Sequence, residues 1–482
     1  MFAFALWDEA ARELHLARDR FGIKPLYLAD DGTTIRVASQ AKALLASARV
    51  SATTDDAALA AFLILGSIPE PRTAWSAISS VPAGATVTVS SDGARTESRY
   101  FRLPSAIAAA ESSADAGTDA AVVAAFRASV EAHMVADVEV GVFLSAGVDS
   151  TSILGLASNG EHRLRAFTLG FDEFESSAND EVPLATLAAQ QYGADHEVVR
   201  VAKSDFASWL PAMLTDMDQP TIDGVNTWMV ARAAAVSGMK VALSGTGGDE
   251  ILAGYPSFVQ VPKLVTRLSK LASLPYVGRG ARTMLTPLVG RRLPKAPGIL
   301  EYSDSLAHAW LLRRAVFMPY EVASILGAER TRTALSDLDL EGVIDSAIQG
   351  GPKGAVAAVA ALEAGCYLRN QLLRDADWAG MAHSLEIRVP LVDSEVFDAV
   401  SPSLTQRWTP PEGKQALADS PSPPLPQAIR NRPKTGFSVP MATWAVSNPG
   451  YDSWRRVDSL AHPRCSWARR WAYVVAERFG ML

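Results

Sequence analysis

The stretch Val138-Glu139-Val140-Gly141-Val142-Phe143-Leu144-Ser145-Ala146-Gly147-Val148-Asp149-Ser150 decides the fold. Its first half is an apolar run that reads as a buried strand. Its second half is a loop of small residues, and Thr151 to Ala157 then opens a helix. Strand, small-residue loop and helix together present backbone N–H groups and a helix N-terminus to a phosphate. Ser145 and Ser150 add hydroxyl donors, and small residues let the backbone come close. Asp149 stands apart, because a carboxylate in a phosphate nest repels its ligand unless a cation such as Mg²⁺ lies between them. The loop therefore points to a nucleotide whose pyrophosphate is bound with magnesium. Taken alone, the window also reads as an ordinary strand–turn–helix junction. It is not a Walker loop, since the G-x-x-x-x-G-K order and its Lys are absent.

Outward from this loop the chain alternates. A helix is expected from Asp119 to Met134 before the loop, and a strand from Arg165 to Phe171 after it. A helix from Val182 to Tyr192, a strand from His196 to Val201 and a helix from Asn226 to Val236 follow, then a strand from Lys240 to Ser244. Such alternation implies a parallel sheet covered on both faces, with ligands outside the carboxyl ends of its strands. The last strand runs into Ser244-Gly245-Thr246-Gly247-Gly248-Asp249-Glu250. This Gly-rich turn carries a second carboxylate, Asp249, at a strand end, able to share a magnesium with Asp149. Beyond residue 300 the pattern is mostly helical.

Residues 1–101 differ. Short strand-like runs at Met1–Trp7, Glu13–Arg18, Thr34–Ala38 and Ala85–Val89 are separated by turn residues such as Asp30-Asp31-Gly32, the pattern of an antiparallel sheet domain. Residues 102–118 are Ala/Ser-rich and read as a linker, leaving 119–482 as the parallel-sheet domain. At 482 residues the chain holds two or three domains with sizeable cores. A net charge of −7 argues against nucleic acid as a partner. No apolar run approaches the roughly 18 residues of a membrane span, so no membrane partner is expected. Two cysteines make no disulfide framework and seven scattered His show no zinc spacing, which fits a cytoplasmic protein. Ile251 to Leu300 holds no Asp or Glu but eight Lys and Arg. It reads as a solvated basic helix pair or as a docking face for an acidic partner.

The loop at 144–150 resembles the pyrophosphate loop of the N-type ATP pyrophosphatases, which transfer AMP. With Ser244 to Tyr255, Asp218-Gln219-Pro220, Met381 to Asp393 and Arg432-Pro433-Lys434-Thr435-Gly436-Phe437 in this order, the chain resembles the asparagine synthetase family of class II glutamine-dependent amidotransferases. The resemblance implies an α/β fold. A C-terminal ATP-pyrophosphatase domain of the adenine nucleotide alpha-hydrolase type would follow part of an antiparallel, glutaminase-like β-sandwich. It implies ATP and Mg²⁺, with Leu144, Leu169, Ser244 and Gly245 on the adenosine and Ser145, Ala146, Gly147, Val148, Asp149 and Ser150 on the pyrophosphate. Asp149 and Asp249 would hold the metal. Thr246, Gly247, Gly248 and Glu250 would lie in the acceptor and adenylate region. Lys434 would be the catalytic Lys, neutralising charge on the α-phosphate. Glu386, Arg388 and Asp393 read as scaffold ion-pair residues.

The implied reaction is ATP-dependent amidation of a carboxylate, most simply aspartate to asparagine, through an acyl-AMP. The same chemistry on another carboxylate, as in β-lactam synthetases or peptide- and sugar-modifying relatives, is the first alternative, and a non-catalytic nucleotide-binding subunit the second. Met1 to Asp8 and Ala17 to Tyr27 are similar to the second half of the glutaminase domain. Position 2 is Phe where the family has its nucleophilic Cys, so glutamine hydrolysis is not expected of this sequence. The expected partners are small molecules: ATP, a carboxylate, and ammonia or glutamine-derived ammonia. A homodimer, or a partner supplying the missing glutaminase half, completes the set; open sheet edges and exposed apolar faces are expected where that half is missing. Within the synthetase half, Ala146 replaces the family's first loop Gly, tolerable at negative φ. Thr246 stands where many members have Asp or Glu, and Asp375 where many have Lys; both bear on the acceptor's identity.

Overall fold

In a computed structural model that describes residues 1–158, 164–290, 292–433, 439–445, 448 and 450–482, the chain is an α/β protein with three sheets. The first two belong to the N-terminal region. Strands β1 (Ala3–Asp8), β2 (Glu13–Arg18), β6 (Ala85–Ser90) and β7 (Arg95–Arg99) form one antiparallel sheet in the order β1-β2-β6-β7. Strands β3 (Tyr27–Asp30), β4 (Ile35–Ala38) and β5 (Ile78–Ser80) form the other, in the order β4-β3-β5. In β6 the Ala-Val-Val face is buried and the Thr-Thr-Ser face is more open, the period of two that a half-buried strand requires. Leu16, Leu28, Val81, Val87 and Val89 fill a small core between the two sheets. The edge strand β1 is different: Phe4, Leu6 and Trp7 all stand exposed.

The third sheet is parallel, with five strands in the order β10-β9-β8-β11-β12. These are β8 (Val140–Phe143), β9 (Arg165–Phe171), β10 (Asp195–Val201), β11 (Val241–Leu243) and β12 (Glu386–Arg388). Strand β9 and helix Asp119–Met134 have the ends expected from the sequence. Strand β12 was not anticipated. It is three residues long and two of them are charged, so it carries no periodic signal. Register pairs Val140 with Val241 and Val142 with Leu243, which sets the loops after β8 and β11 side by side.

Two features tie the N-terminal sheets to the parallel-sheet region. Leu103–Glu111, inside the stretch that reads as a linker, is a helix with Leu103 and Ile107 buried, packed on helices Ser394–Gln406 and Ala355–Leu362. Two buried positions in an Ala-rich run are too few to show in the sequence. The buried Asp218 carboxylate accepts the backbone N–H groups of Ala41 (3.1 Å) and Lys42 (3.0 Å), capping helix Ala41–Ala46 from across the structure. Gln219 beside it accepts from the Ala74 N–H at 2.9 Å. Among the described residues no helix is long and apolar enough to cross a membrane.

Asp218→Ala leaves two buried N–H groups without their acceptor, which costs about 1–3 kcal/mol. A urea titration should show that loss as a lower midpoint; an unchanged midpoint would mean the cap is idle.

Candidate nucleotide and acceptor site

The site begins with β8. Leu144 donates its N–H to Phe167 O (2.8 Å), and Thr168 Oγ1 donates to Leu144 O (2.8 Å), so the loop leaves the sheet from a fixed point. The loop is closed by its hydroxyls. Ser150 Oγ accepts from Ser145 N–H at 3.0 Å and lies 2.8 Å from Ser145 Oγ. Gly147 N–H donates to Ser145 Oγ at 3.2 Å. Gly147 then caps helix Val148–Ala157, whose N-terminus faces the cavity with its positive dipole end. Ala146 is not among the residues with positive φ, so the condition for replacing a loop glycine is met.

The second loop is pressed against the first. A Cβ on Gly245 would stand 2.8 Å from Asp149 Cβ and 2.9 Å from Ser150 N, and one on Gly248 2.6 Å from Asp149 Cγ. No side chain fits at either position, which is the physical reason for glycine there. This contact sets Asp149 beside the turn that carries Asp249.

Both carboxylates converge on Lys414, whose Nζ pairs with Asp149 Oδ1 and lies 2.8 Å from Asp249 Oδ1. All three side chains are largely buried. Burial alone would lower the Lys414 pKa; the two carboxylates outweigh it and hold the ammonium above its ordinary value. Lys414 comes from helix Glu412–Asp419, far along the chain, in a run with nothing to mark it. Two carboxylates at strand ends, beside a phosphate-shaped loop, also suit a hard cation that takes few protein ligands and completes its shell with phosphate oxygens. Bound there, Mg²⁺ would neutralise charge on the pyrophosphate, and Asp149 and Asp249 are the residues that would hold it.

A cavity of about 450 Å³ opens over these loops. Leu144, Ser145, Gly147, Asp149, Ser150, Leu169, Ser244, Gly245 and Thr246 all line it, with Asp249. Phe143, Phe167 and Val230 give one end an apolar wall fit for a base. Ala146, Val148, Gly247 and Gly248 are not on the wall. Nor is Glu250, which is buried and accepts a hydrogen bond from the Tyr255 hydroxyl at 2.8 Å. Burial, then the neighbouring Asp249, push its pKa up to about 7. Thr246 Oγ1 lies 2.9 Å from Ser244 Oγ, so a neutral hydroxyl pair stands on the turn that leads to Asp249. Lys434 lies outside the described residues. Arg388 donates to Glu386 and to the carbonyls of His133 and Val135, and Asp393 caps helix Ser394–Gln406.

The far end of the cavity is acidic. Asp223 and Asp375 both line it. Asp375 accepts from Thr221 Oγ1 (2.9 Å) and Trp378 Nε1 (2.8 Å). Its burial, with Asp223 nearby, pushes its pKa up to about 8. Arg314 sits over the Tyr255 and Tyr367 rings, held by Glu363 at 2.6 Å. It also borders a second chamber of about 330 Å³ that shares Asp223, Asn226 and Tyr367 with the first. Sequence reading flagged Asp375 as a departure; Asp223, Arg314 and Tyr367 carry no local signature.

A loop of small residues and paired acidic strand ends thus meet at the carboxyl ends of a parallel sheet, where such sheets take their ligands. Comparison with known proteins gives the family. Residues 121–464 match the asparagine synthase family, and residues 1–101 match the glutamine amidotransferase domain. The chain belongs to the asparagine synthase family, whose general chemistry is ATP-dependent amidation by a carbon–nitrogen ligase. A Mycobacterium tuberculosis protein provisionally named a glutamine-hydrolysing asparagine synthetase is 32% identical over 464 residues, covering 92% of this chain and 67% of that protein. Bacillus subtilis glutamine-hydrolysing asparagine synthetase 1 is 28% identical, covering 92% and 68%. The amidase chry2 of Gibberella zeae is 23% identical, covering 95% and 72%.

Lys414→Met removes the cation shared by two buried carboxylates and should cost about 3–5 kcal/mol. Millimolar Mg²⁺ should return part of that in thermal melts of the variant while hardly moving the parent; no magnesium response in the variant would count against a metal between Asp149 and Asp249. The Lys414 contribution should be complete below its ordinary pKa of 10.5 and lost only as pH climbs through the higher folded value. Asp375 is an acid whose folded pKa is raised. Its contribution is full below 3.8 and is lost as pH rises to about 8. Asp375→Asn should therefore flatten the pH dependence of the urea midpoint between those values and raise stability at pH 8 by a few kcal/mol, on the order of 1.4 per pKa unit. An unaltered slope would show that Asp375 titrates normally.

Proposed function

We propose that the chain amidates aspartate to asparagine through a β-aspartyl-AMP intermediate, releasing AMP and pyrophosphate. The observation that carries the reading is the meeting of Asp149 and Asp249 across adjacent strand ends, on the wall of the cavity lined by Ser145 and Ser150. In this reading Leu144, Leu169, Ser244 and Gly245 hold the adenosine, and the 145–150 loop holds the pyrophosphate. The acceptor carboxylate attacks the α-phosphorus, and the bond to the bridging oxygen of pyrophosphate breaks. Adenylation answers a leaving-group problem: a carboxylate oxygen cannot depart as oxide, whereas AMP can. Ammonia then adds to the acyl carbon, AMP leaves, and the amide retains two of the three ammonia protons.

The side chains divide the work. Lys414 keeps the two carboxylates together and sets positive charge beside the leaving pyrophosphate. Lys434 neutralises charge on the α-phosphate, a differential stabilisation that grows toward the transition state. The apolar wall at Phe143 and Phe167 packs against the base of the nucleotide. Two thiols without a disulfide and a reaction that spends ATP suit a cytoplasmic location.

A second acceptor is favoured by the acidic far end. Asp223 and Asp375 offer carboxyl oxygens to a protonated amine, Asp375 as an ion only once it has lost its proton, and the second chamber leaves room for more than a free amino acid. An aminated, longer carboxylate fits those features.

With Mg-ATP, ammonia and aspartate the chain should form asparagine and AMP, and Lys434→Ala should lower the rate by at least 10². ADP in place of AMP would overturn adenylation. Pyrophosphate release with amine-bearing carboxylates but not with aspartate would move the assignment to the second acceptor.

A further inference from the structure

Beyond Tyr255, the basic segment up to Leu300 lines no part of the nucleotide cavity, yet its structure is specific. It folds as helix Ser257–Ala272 and helix Val277–Leu285, with a wide turn at Thr286–Gly290. The first helix is anchored by buried Ser257, Phe258 and Val261, and packs on helices Leu306–Arg314 and Ala355–Leu362. Its outer side carries exposed Lys263, Arg267 and Lys270, spaced so that they share one face. Beyond it, large apolar side chains point into solvent. Tyr276 is 85% exposed, Met284 76%, Leu288 75% and Leu293 62%. Exposed Arg279 and Arg292 stand among them. Arg282 is the exception, turned inward to Glu301, and Lys295 donates to Arg313 O. Single exposed apolar residues are ordinary on a protein surface. Here four large ones follow one another along a ledge fringed by cations.

We propose that this ledge docks on an anionic bilayer, laying Tyr276, Met284 and Leu288 into the headgroup boundary while Lys and Arg meet lipid phosphates. Amphipathic basic helices bind membrane surfaces through this pairing of apolar burial and charge attraction. A second copy of the chain is a poor occupant, because exposed Lys263, Arg267, Lys270, Arg279 and Arg292 would face their own image. An acidic protein would answer the charge but would need a pocket for each protruding apolar side chain; acyl chains need none. Surface association of this kind needs no membrane-spanning helix.

The test is co-sedimentation of the full chain with phosphatidylcholine vesicles and with phosphatidylcholine–phosphatidylglycerol vesicles. It should pellet with the second and not the first, and raised salt should release it. Lys270→Glu with Arg279→Glu should lower binding, by roughly fivefold for each charge removed, and Met284→Asp with Leu288→Asp should lower it at least tenfold. None of these residues lines the nucleotide cavity, so pyrophosphate release should be unchanged. A Leu288→Trp variant should shift its fluorescence to the blue on anionic vesicles only. Equal binding to neutral vesicles, no binding to either, or loss of binding in the charge variant alone would overturn the proposal. The last result would reassign the ledge to an acidic macromolecule.

Discussion

The site rests on one ammonium between two carboxylates. Asp149 and Asp249 end different strands, and like charges at that range repel unless something positive intervenes. Lys414 provides it from a helix that otherwise belongs to the outer layer. The glycines at 245 and 248 make the arrangement sterically feasible, because any Cβ there would strike Asp149. Parallel pairing of β8 with β11 supplies the frame. Backbone register, glycine and counter-charge thus converge on one spot, and the cavity opens above it.

Much of this was legible from local sequence. The 138–150 stretch announces a strand, a loop and a helix because each has a strong local signature: apolar run, small residues, then helix formers. The meeting of Asp149 with Asp249 was also inferable, since both sit at carboxyl ends of strands in a parallel sheet. Lys414 was not. Its neighbours are ordinary helical residues, and its role arises only from where helix Glu412–Asp419 packs. Strand β12 was missed for a related reason: three residues, two charged, become a strand only because β11 offers an open edge. The helix at 103–111 hid in an Ala-rich stretch, where two buried positions decide its place.

The two acidic ends of the cavity differ in kind. Asp149 and Asp249 are balanced by a cation of the chain. Asp375 is stabilised by hydrogen bonds from Thr221 and Trp378 while burial keeps its proton on near neutrality. In the proposed reaction the first end would face the phosphates and the second the acceptor.

The run from Asp218 to Thr227 has a wider consequence. At one end it clasps helix Ala41–Ala46 of the antiparallel region; at the other, Asp223, Asn226 and Thr227 form cavity wall. A strut fixed at both ends passes displacement on. Any displacement of Asp223 would therefore be felt at helix Ala41–Ala46, so the two halves of the polypeptide share one mechanical link.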